Sequence, residues 1–232
     1  MAESKSAATR SSTLASRAYE RLKHEIITAR LLPEQKLHIA NLCDRYEMGL
    51  SPMREALNRL SRDGMVIQVD QRGFRVAPVS IEHLEELTRT RCWLDEIGLR
   101  ESILHGDQQW EENVVLAYHR LTREQPAGRT PAERGPGWED AHRGFHASLV
   151  AACRSYWLRA FSTELFDAAE RYRHLSRIAW RSKPPRDEHK AIMEATVSRN
   201  TALAVELLTT HLRRTAEAVR ARLERQQPRV GV

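Results

Sequence analysis

Cysteine and long apolar segments are both scarce in this sequence. The three cysteines, Cys43, Cys92 and Cys153, lie far apart and form no Cys-x-x-Cys pair, so we expect buried, reduced thiols. No apolar run approaches the length of about 18 residues that a membrane-spanning helix needs. The N-terminus has no apolar signal core, and residues 1–14, rich in Ser, Ala and Thr, are predicted to be a disordered arm. These absences favour a cytoplasmic protein.

Positive charge is in small excess and is unevenly distributed. The chain carries 37 Lys and Arg against 31 Asp and Glu, a net charge of +6. Residues 1–80 contain 13 of these basic residues and 9 acidic ones, a net charge of +4. A module that binds phosphate groups needs such an excess. The bias is too modest to identify one by itself.

The first part of the chain shows three short amphipathic segments in succession. Ala15–Arg30 and Ile39–Tyr46 have apolar residues at helical spacing. A third helix is predicted to begin at Ser51, with the Ser51 side chain as its cap and Pro52 in its first helical position. Gly64 is expected to end this helix just past its last turn. The order of segments predicts a helix-turn-helix.

A hairpin is predicted to follow these helices. Met65, Ile67 and Val69 alternate with other residues, as in a half-buried strand. Gly73 can take the positive φ angle that the next turn needs, and the chain then returns to Pro78. The three helices and this hairpin together predict that residues 15–78 form a winged helix-turn-helix, which is a DNA-binding domain.

Several polar side chains of this domain are candidates for contact with DNA. Arg54, at the start of the third helix, is expected to enter the major groove, and Arg72, at the hairpin tip, to reach a phosphate or the minor groove. An alternative for Arg54 is an exposed ion pair with Glu55 or Glu47, which would contribute little. The weaker candidates are Ser51, Asn58, Arg75 and, for a phosphate contact, His38.

After Pro78 the sequence has helical spacing almost throughout. No strand alternation is evident between Ser80 and Gln227. Ser80 is expected to cap a long helix whose apolar positions include Ile97 and Leu104. The fold class is therefore predicted to be mainly α, with an all-helical bundle over residues 79–227 behind the winged domain.

Four histidines of the predicted bundle form a candidate metal site. His142 and His146 are four residues apart and so lie one turn apart on one helix face, a spacing that can offer two nitrogens to one metal ion. His189 and His211, on two further helices, could complete the site. The chain has ten histidines, so the alternative is that each of the four is a buried residue with one hydrogen bond.

Two sets of motifs occur in the order typical of a known family. The N-terminal set consists of Leu32–Pro33, Leu37, Leu42, Ser51–Leu57, Leu60, Asp63–Gly64 and Arg72–Val76. The C-terminal set consists of Phe145–His146, Leu149, Glu188–His189 and His211–Leu212. Over about residues 14–225 the chain resembles the GntR family of bacterial transcription regulators, in the branch with a FadR-type C-terminal (FCD) domain. Asp70–Val76 and Thr90–Leu94 look most like the carbon-starvation regulators of glutarate and related catabolism.

The resemblance implies a homodimer on operator DNA and a bundle pocket for a small carboxylate. In the family this pocket often holds a divalent metal ion through an acidic residue and three histidines. His146, His189 and His211 match the histidines, whereas His142 stands where the acidic ligand is expected. Four imidazoles would favour zinc, nickel or copper over harder cations, and the alternative is that the site has changed its use. Gly49–Leu50 replaces the usual Ser–Arg pair, so the operator sequence should also differ.

These observations together predict a ligand-responsive repressor that binds an inverted-repeat operator as a homodimer and senses a small organic acid. Arg91 is the first candidate to hold the carboxylate of the effector and Arg173 the second, because the guanidinium group makes bidentate contacts. Alternatives are a metal-dependent enzyme that uses the histidines and a helical scaffold that binds proteins. The sequence has no His-Glu-x-x-His motif and no nucleophile elbow, so we predict no enzyme activity and assign no catalytic residue.

Overall fold

The computed structural model describes residues 13–69, 73–124, 136–177 and 188–226. The chain divides into two compact units, Met1–Pro78 and Val79–Val232, which we name the winged unit and the helical unit. Most described residues are helical, which confirms the predicted mainly α fold. No helix in the described ranges is both long and apolar enough to cross a membrane.

The winged unit contains three helices and a small antiparallel sheet. In the sheet β3 lies between β1 and β2, and Phe74 pairs with both Leu37 and Gln68. The core under the sheet is apolar, with Leu22, Met53 and Leu57 fully buried. The elements in chain order are α1 (Leu14–Ile27), β1 (Lys36–Leu37), α2 (Ile39–Tyr46), α3 (Leu50–Arg62), β2 (Val66–Val69) and β3 (Gly73–Val76).

The start of α3 differs from the sequence-based prediction. The helix begins at Leu50, and Gly49 is its cap residue without any side-chain hydrogen bond. Ser51 therefore does not cap the helix. Pro52 falls in the first turn, where a missing N–H costs nothing because the first four N–H groups have no partner within the helix. Gly64 follows the helix with a φ angle of +68°, as expected.

In the first strand of the wing, inward-facing and outward-facing residues alternate in the opposite order to the prediction. Met65 belongs to the turn, where its N–H donates to the carbonyl of Leu60. β2 begins at Val66, which is 1% exposed, whereas Ile67 is 40% exposed. A shift of one residue moves every side chain of a strand to the other face. Gly73 has a φ angle of +86°, which agrees with the predicted turn.

The helical unit contains helices alone among its described residues. Side chains cap two of them: Ser80, as predicted, accepts from the His83 N–H, and Asp107 accepts from the Trp110 N–H. Its largest apolar core includes Trp138 and Phe145. The helices are α4 (Ile81–His105), α5 (Gln108–Arg123), α6 (Pro136–Leu149), α7 (Tyr156–Arg177), α8 (Glu188–Val197) and α9 (Thr201–Gln226).

The packing of the helical unit places α4 against both α7 and α9, and α5 against both α6 and α8. α8 and α9 also pack against each other. The inward positions of α4 are Leu84, Leu87, Cys92, Leu99 and Ile103. Ile97 and Leu104 are instead 51% and 69% exposed, so part of the apolar pattern of this helix lies on the surface.

Candidate metal centre and DNA-binding surface

Four histidines from three helices converge inside the helical unit. α6 supplies His142 and His146, α8 supplies His189 and α9 supplies His211. One nitrogen atom from each ring lies within 4.8 Å of the others. Around a tetrahedral zinc ion, four nitrogens at about 2.1 Å from the metal would lie about 3.4 Å apart, so closing the widest separation by about 1.4 Å would suffice. The structure thus brings together the four histidines that the sequence singled out.

Burial keeps two of these rings in the form that binds metals. Removal from water is the main reason that the pKa of His142 and the pKa of His146 lie well below the usual value, and neighbouring imidazoles and Arg173 add to this effect. Both rings are therefore neutral at neutral pH, as a metal ligand must be. Within the described residues, Nδ1 of His142 and Nε2 of His146 have no hydrogen-bond partner. This donor set fits a divalent ion that accepts nitrogen ligands.

A carboxylate fixes the orientation of the fourth ring. Nδ1 of His211 donates a hydrogen bond of 2.8 Å to Oε2 of Glu188, and Arg214 donates to Oε1 of the same carboxylate. The hydrogen bond from His211 lowers the pKa of Glu188. With Nδ1 occupied, Nε2 of His211 is the nitrogen left for a metal ion. Glu188 was named above only as part of a motif, although its position directly before His189 could have indicated a role beside the histidines.

A second carboxylate lies beside His142, the histidine that stands where the family resemblance leads us to expect an acidic ligand. Oε1 of the buried Glu170, on α7, is 3.7 Å from Nδ1 of His142, and its other oxygen pairs with Arg173. The guanidinium of Arg173 lies 4.6 Å from the ring centre of Trp138, which stacks on His142. Sequence reasoning missed Glu170, because nothing in the spacing of α7 shows that this face meets α6.

The two arginines proposed to hold an effector are buried near the histidines. Arg91 lies 5.2 Å from the ring centre of Phe166, and this ring is 5.5 Å from that of His146. The positive charges of Arg91 and Arg173 both help to lower the pKa of His146. Arg91 contacts Asp95 at 3.5 Å, but no described residue accepts a hydrogen bond from the Nε atom of either arginine. Each arginine therefore retains a donor for an anion.

A surface groove of about 250 Å³ opens elsewhere in the helical unit, between α4 and α9. Cys92 and Trp93 line it from α4, and Arg213 and Arg220 line it from α9. None of the four histidines contributes to its walls. This groove is therefore distinct from the effector pocket that the sequence leads us to expect.

The exposed face of α3 carries the main candidates for DNA contact. Ser51, Arg54 and Asn58 are exposed and follow one another at helical spacing, while Met53 and Leu57 on the opposite face are fully buried. In the part of the chain that the structure describes, no ion pair engages Arg54, so its alternative pairing with a neighbouring glutamate is not observed. The helix is thus oriented with an apolar face inward and a polar face outward.

The remaining candidates of the winged unit lie at three separate places. His38 is exposed at the start of α2, where it occupies the cap position. Arg75 is half-buried on β3 and pairs with Ile67 of β2 and Lys36 of β1. Arg72 lies outside the described residues. The structure therefore groups the α3 candidates and leaves the others apart.

This combination of a winged helix-turn-helix and a helical unit with buried histidines defines a class of DNA-binding regulators built from two units. The family model described as "Bacterial regulatory proteins, gntR family" matches residues 14–76, and the model of the FCD domain matches residues 86–214. The chain therefore belongs to the GntR family of bacterial regulatory proteins, in the branch with an FCD domain. Its relatives are transcriptional regulators rather than enzymes, and FCD domains often bind a metal ion.

Individual relatives support the same assignment. The chain is 36% identical over 206 residues to the HTH-type transcriptional regulator BphR of Paraburkholderia xenovorans (strain LB400), covering 87% of this chain and 83% of the relative. It is 31% identical over 203 residues to the HTH-type transcriptional repressor GlaR of Escherichia coli (strain K12), covering 84% and 90%. The solved structure of E. coli McbR/YncC superposes with a TM-score of 0.77 at 17% identity, covering 92% of this chain and all of that one, which shows a shared fold.

Proposed function

We propose that this regulator is a homodimeric repressor that responds to a small organic acid through a metal centre. Residues 15–78 would be the DNA-binding domain, and residues 79–227 would bind the effector and form the dimer. The observation that carries the proposal is the convergence of four histidines beside two buried arginines. The relative GlaR is named a repressor, which supports repression over activation. Its place of action would be the cytoplasm, where bacterial DNA lies.

The DNA-binding step uses the exposed face of α3. Arg54 would enter the major groove near the start of the helix, with Ser51 and Asn58 beside it, and the wing would approach the flanking backbone. One winged unit covers a single half-site, so a stable site needs two units related by a two-fold axis. The operator would therefore be an inverted repeat.

The sensing step uses the interior of the helical unit. His142, His146, His189 and His211 would hold a zinc or nickel ion, and this ion would accept a carboxylate oxygen of the acid as a fifth ligand by expanding its coordination beyond the four imidazoles. Arg91, and after it Arg173, would donate to the carboxylate group of the acid, because burial strengthens such charge-assisted contacts. Asp95 and Glu170 already balance the charges of the two arginines, so what each guanidinium group offers the acid is its remaining N–H donor at Nε.

Repression would end when the acid binds. An effector changes DNA affinity only if it binds one of two states of the regulator more tightly than the other. Closure of α4 and α7 around the acid would alter the spacing of the two recognition helices in the dimer. The acid would then favour the state with the wrong spacing for the operator.

Two measurements test this function. Protein purified without a His-tag should contain about one equivalent of zinc or nickel per chain by elemental analysis. Less than about one-tenth of an equivalent, unchanged after adding either metal, would refute the metal centre and leave acid binding to be judged separately. In a gel-shift assay, DNA from around its own gene should bind, and a carboxylic acid found by thermal-shift screening should release it. If no acid both stabilises the protein and releases DNA, the sensing role is refuted.

A further inference from the structure

A large apolar side chain is exposed at the start of α3, beside the polar candidates for DNA contact. Leu50 is the first residue of this helix and is 59% exposed. Ser51 lies next to it and Arg54 follows one helical turn later, and both are exposed. Leu50 is therefore the apolar member of a group whose other members are polar.

The core of the winged unit does not account for Leu50. Met53 and Leu57 on the inward side of the same helix are 0% exposed and belong to this core, whereas Leu50 points away from it. A single exposed leucine is common on protein surfaces. Its place at the beginning of the second helix of a helix-turn-helix sets Leu50 apart, because the first residues of such a helix contact base edges in the major groove.

The chemistry of leucine limits which base it can recognise there. All four bases present hydrogen-bonding groups in the major groove, and thymine alone adds a 5-methyl group. Leucine has no hydrogen-bonding group in its side chain, so it gains free energy only by removing apolar surface from water. Placed against a polar base edge, it would leave the groups of that edge without partners. The thymine methyl is therefore the feature that suits Leu50.

We infer that Leu50 contacts the 5-methyl group of a thymine in each half-site of the operator, at the position where the family resemblance leads us to expect an arginine. This assignment rests on the DNA-binding step of the proposed function and adds the base that one residue selects. An arginine at this position would favour guanine through its O6 and N7 atoms. The presence of leucine thus changes the preferred base.

The residue before Leu50 supports a close approach of DNA at this point. Gly49 has a φ angle of −71° and a ψ angle of 163°, which other residues adopt equally well. A side chain added there would meet no described atom nearer than 3.8 Å, and a polar one would cap the helix better than glycine does. Neither the backbone nor crowding within the described residues requires this glycine. Space for a DNA backbone beside Leu50 gives it a role.

The spacing along α3 also predicts where the thymine lies. Leu50 and Arg54 are four residues apart, which is about 6 Å along a helix that rises 1.5 Å per residue. Successive bases of one DNA strand are about 3.4 Å apart. The thymine should therefore lie within about two base pairs of the base that Arg54 contacts. This limit restricts the assignment to a few positions of each half-site.

Replacement of thymine by uracil tests the contact, because it removes only the 5-methyl group. The operator is first selected from randomised duplex DNA by the full-length protein, and each thymine is then replaced singly. Fluorescence anisotropy should show that uracil at one position of a half-site weakens binding of the wild type about fourfold, the effect of one buried methyl-sized group. Leu50→Ala, whose side chain is three carbons shorter, should bind the thymine operator at least about fourfold more weakly and lose little more with uracil.

Two further variants separate base recognition from a general effect on the winged unit. Leu50→Arg should select guanine instead of thymine at the same position, since the guanidinium group binds the guanine edge in a bidentate way. Leu32→Ala is the matched control, because Leu32 is 53% exposed in the connection between α1 and β1. It should keep the fourfold effect of uracil. Thermal melting followed by circular dichroism checks that each variant is folded.

The outcomes distinguish this contact from DNA binding itself. A uracil effect in the wild type and in Leu32→Ala that disappears in Leu50→Ala would support the assignment. Equal wild-type affinity for the operator after every single replacement would overturn it and leave DNA binding intact. An undiminished uracil effect in Leu50→Ala, or selection of unchanged sequences by Leu50→Arg, would also overturn it. If the wild type enriches no sequence, the DNA-binding step is refuted and the contact with it.

Discussion

The winged unit and the helical unit bury different kinds of side chain. Among the described residues, the winged unit buries one charged or polar residue, Glu25, whereas the helical unit buries fourteen. Burying a charge costs several kcal/mol unless partners compensate for the lost water. The helical unit accepts this cost at Arg91, Glu170 and Arg173. Its interior is therefore arranged for more than stability.

The sizes of the ligands proposed for the two units account for the difference. DNA is too large to be enclosed, so the residues that meet it must be exposed, as Arg54 and Asn58 are. A metal ion and a small acid are held best where they are surrounded. α4 combines both principles, because Arg91 points inward toward the histidines while Ile97 lies on the surface. The same helix thus places a buried cation beside the histidines and an apolar side chain on the surface.

The largest expected effect is the loss of the metal centre on removal of two ligands. The double variant His146→Ala, His211→Ala should no longer bind one equivalent of zinc or nickel. Its affinity for the metal should fall by more than 100-fold, because removing only a partner that orients a ligand already costs about 10–100-fold. Isothermal titration with zinc and elemental analysis measure the change. Operator binding without effector should persist, because the α3 face is untouched.

The control for this variant is His119→Ala, which removes an exposed histidine of α5. Its metal content should equal that of the wild type. If the double variant still binds one equivalent of metal at unchanged affinity, the site lies elsewhere. If the effector still releases DNA from the double variant at the same concentration, the effector pocket does not involve these histidines.

The next effect should appear in the winged unit alone. Leu57 is fully buried in the apolar core of this unit, so Leu57→Ala should lower its free energy of unfolding by about 2–5 kcal/mol through lost burial and a cavity. Operator binding should fall at physiological temperature, while zinc binding by the helical unit should be unchanged. Thermal melting followed by circular dichroism measures the loss. A parallel loss of zinc would show that the two units do not unfold separately.

The regular elements were predictable because local residues determine them. Ser80 caps α4 and Gly73 provides the positive φ of the wing, as their residue types indicate. α2 has the predicted bounds, Ile39–Tyr46. The cap of α3 was mispredicted at Ser51, because Gly49 takes the extended conformation two residues earlier. Side-chain preference alone does not decide between neighbouring cap positions.

The site was only partly predictable, because it depends on packing between distant segments. The spacing of His142 and His146 indicated a shared helix face. The approach of His189 and His211 followed from the family resemblance rather than from the spacing. Glu170 was missed, because a buried carboxylate on a long helix gives no sequence signal of the neighbour that it meets. The exposure of Ile97 was missed for the same reason, since apolar periodicity alone does not show which apolar positions a neighbouring helix will cover.

A smaller effect is expected on the surface of the winged unit. Arg54 is exposed, and its guanidinium group forms no ion pair within the described residues. Arg54→Ala should weaken operator binding by about 1–3 kcal/mol if the side chain reads a base. Glu55→Ala, one position further along α3, is the matched control and should not weaken binding, because it removes a negative charge. Fluorescence anisotropy with operator DNA measures both affinities, and equal affinity of Arg54→Ala and wild type would contradict the assignment.

The smallest effect concerns the residue that orients a metal ligand. Glu188 holds Nδ1 of His211 at 2.8 Å and so presents Nε2 to the other rings. Glu188→Ala should reduce zinc affinity by about 10–100-fold, as is usual when such a partner is removed, whereas Glu188→Gln should lose less, because its amide oxygen can still accept the hydrogen bond. Arg214→Ala is the control: it removes the exposed second partner of Glu188 and should leave zinc affinity nearly unchanged. A zinc titration in the presence of a competing chelator measures the three affinities, and melting of the metal-free proteins separates orientation from stability. Equal zinc affinity in Glu188→Ala and wild type would show that packing alone orients His211.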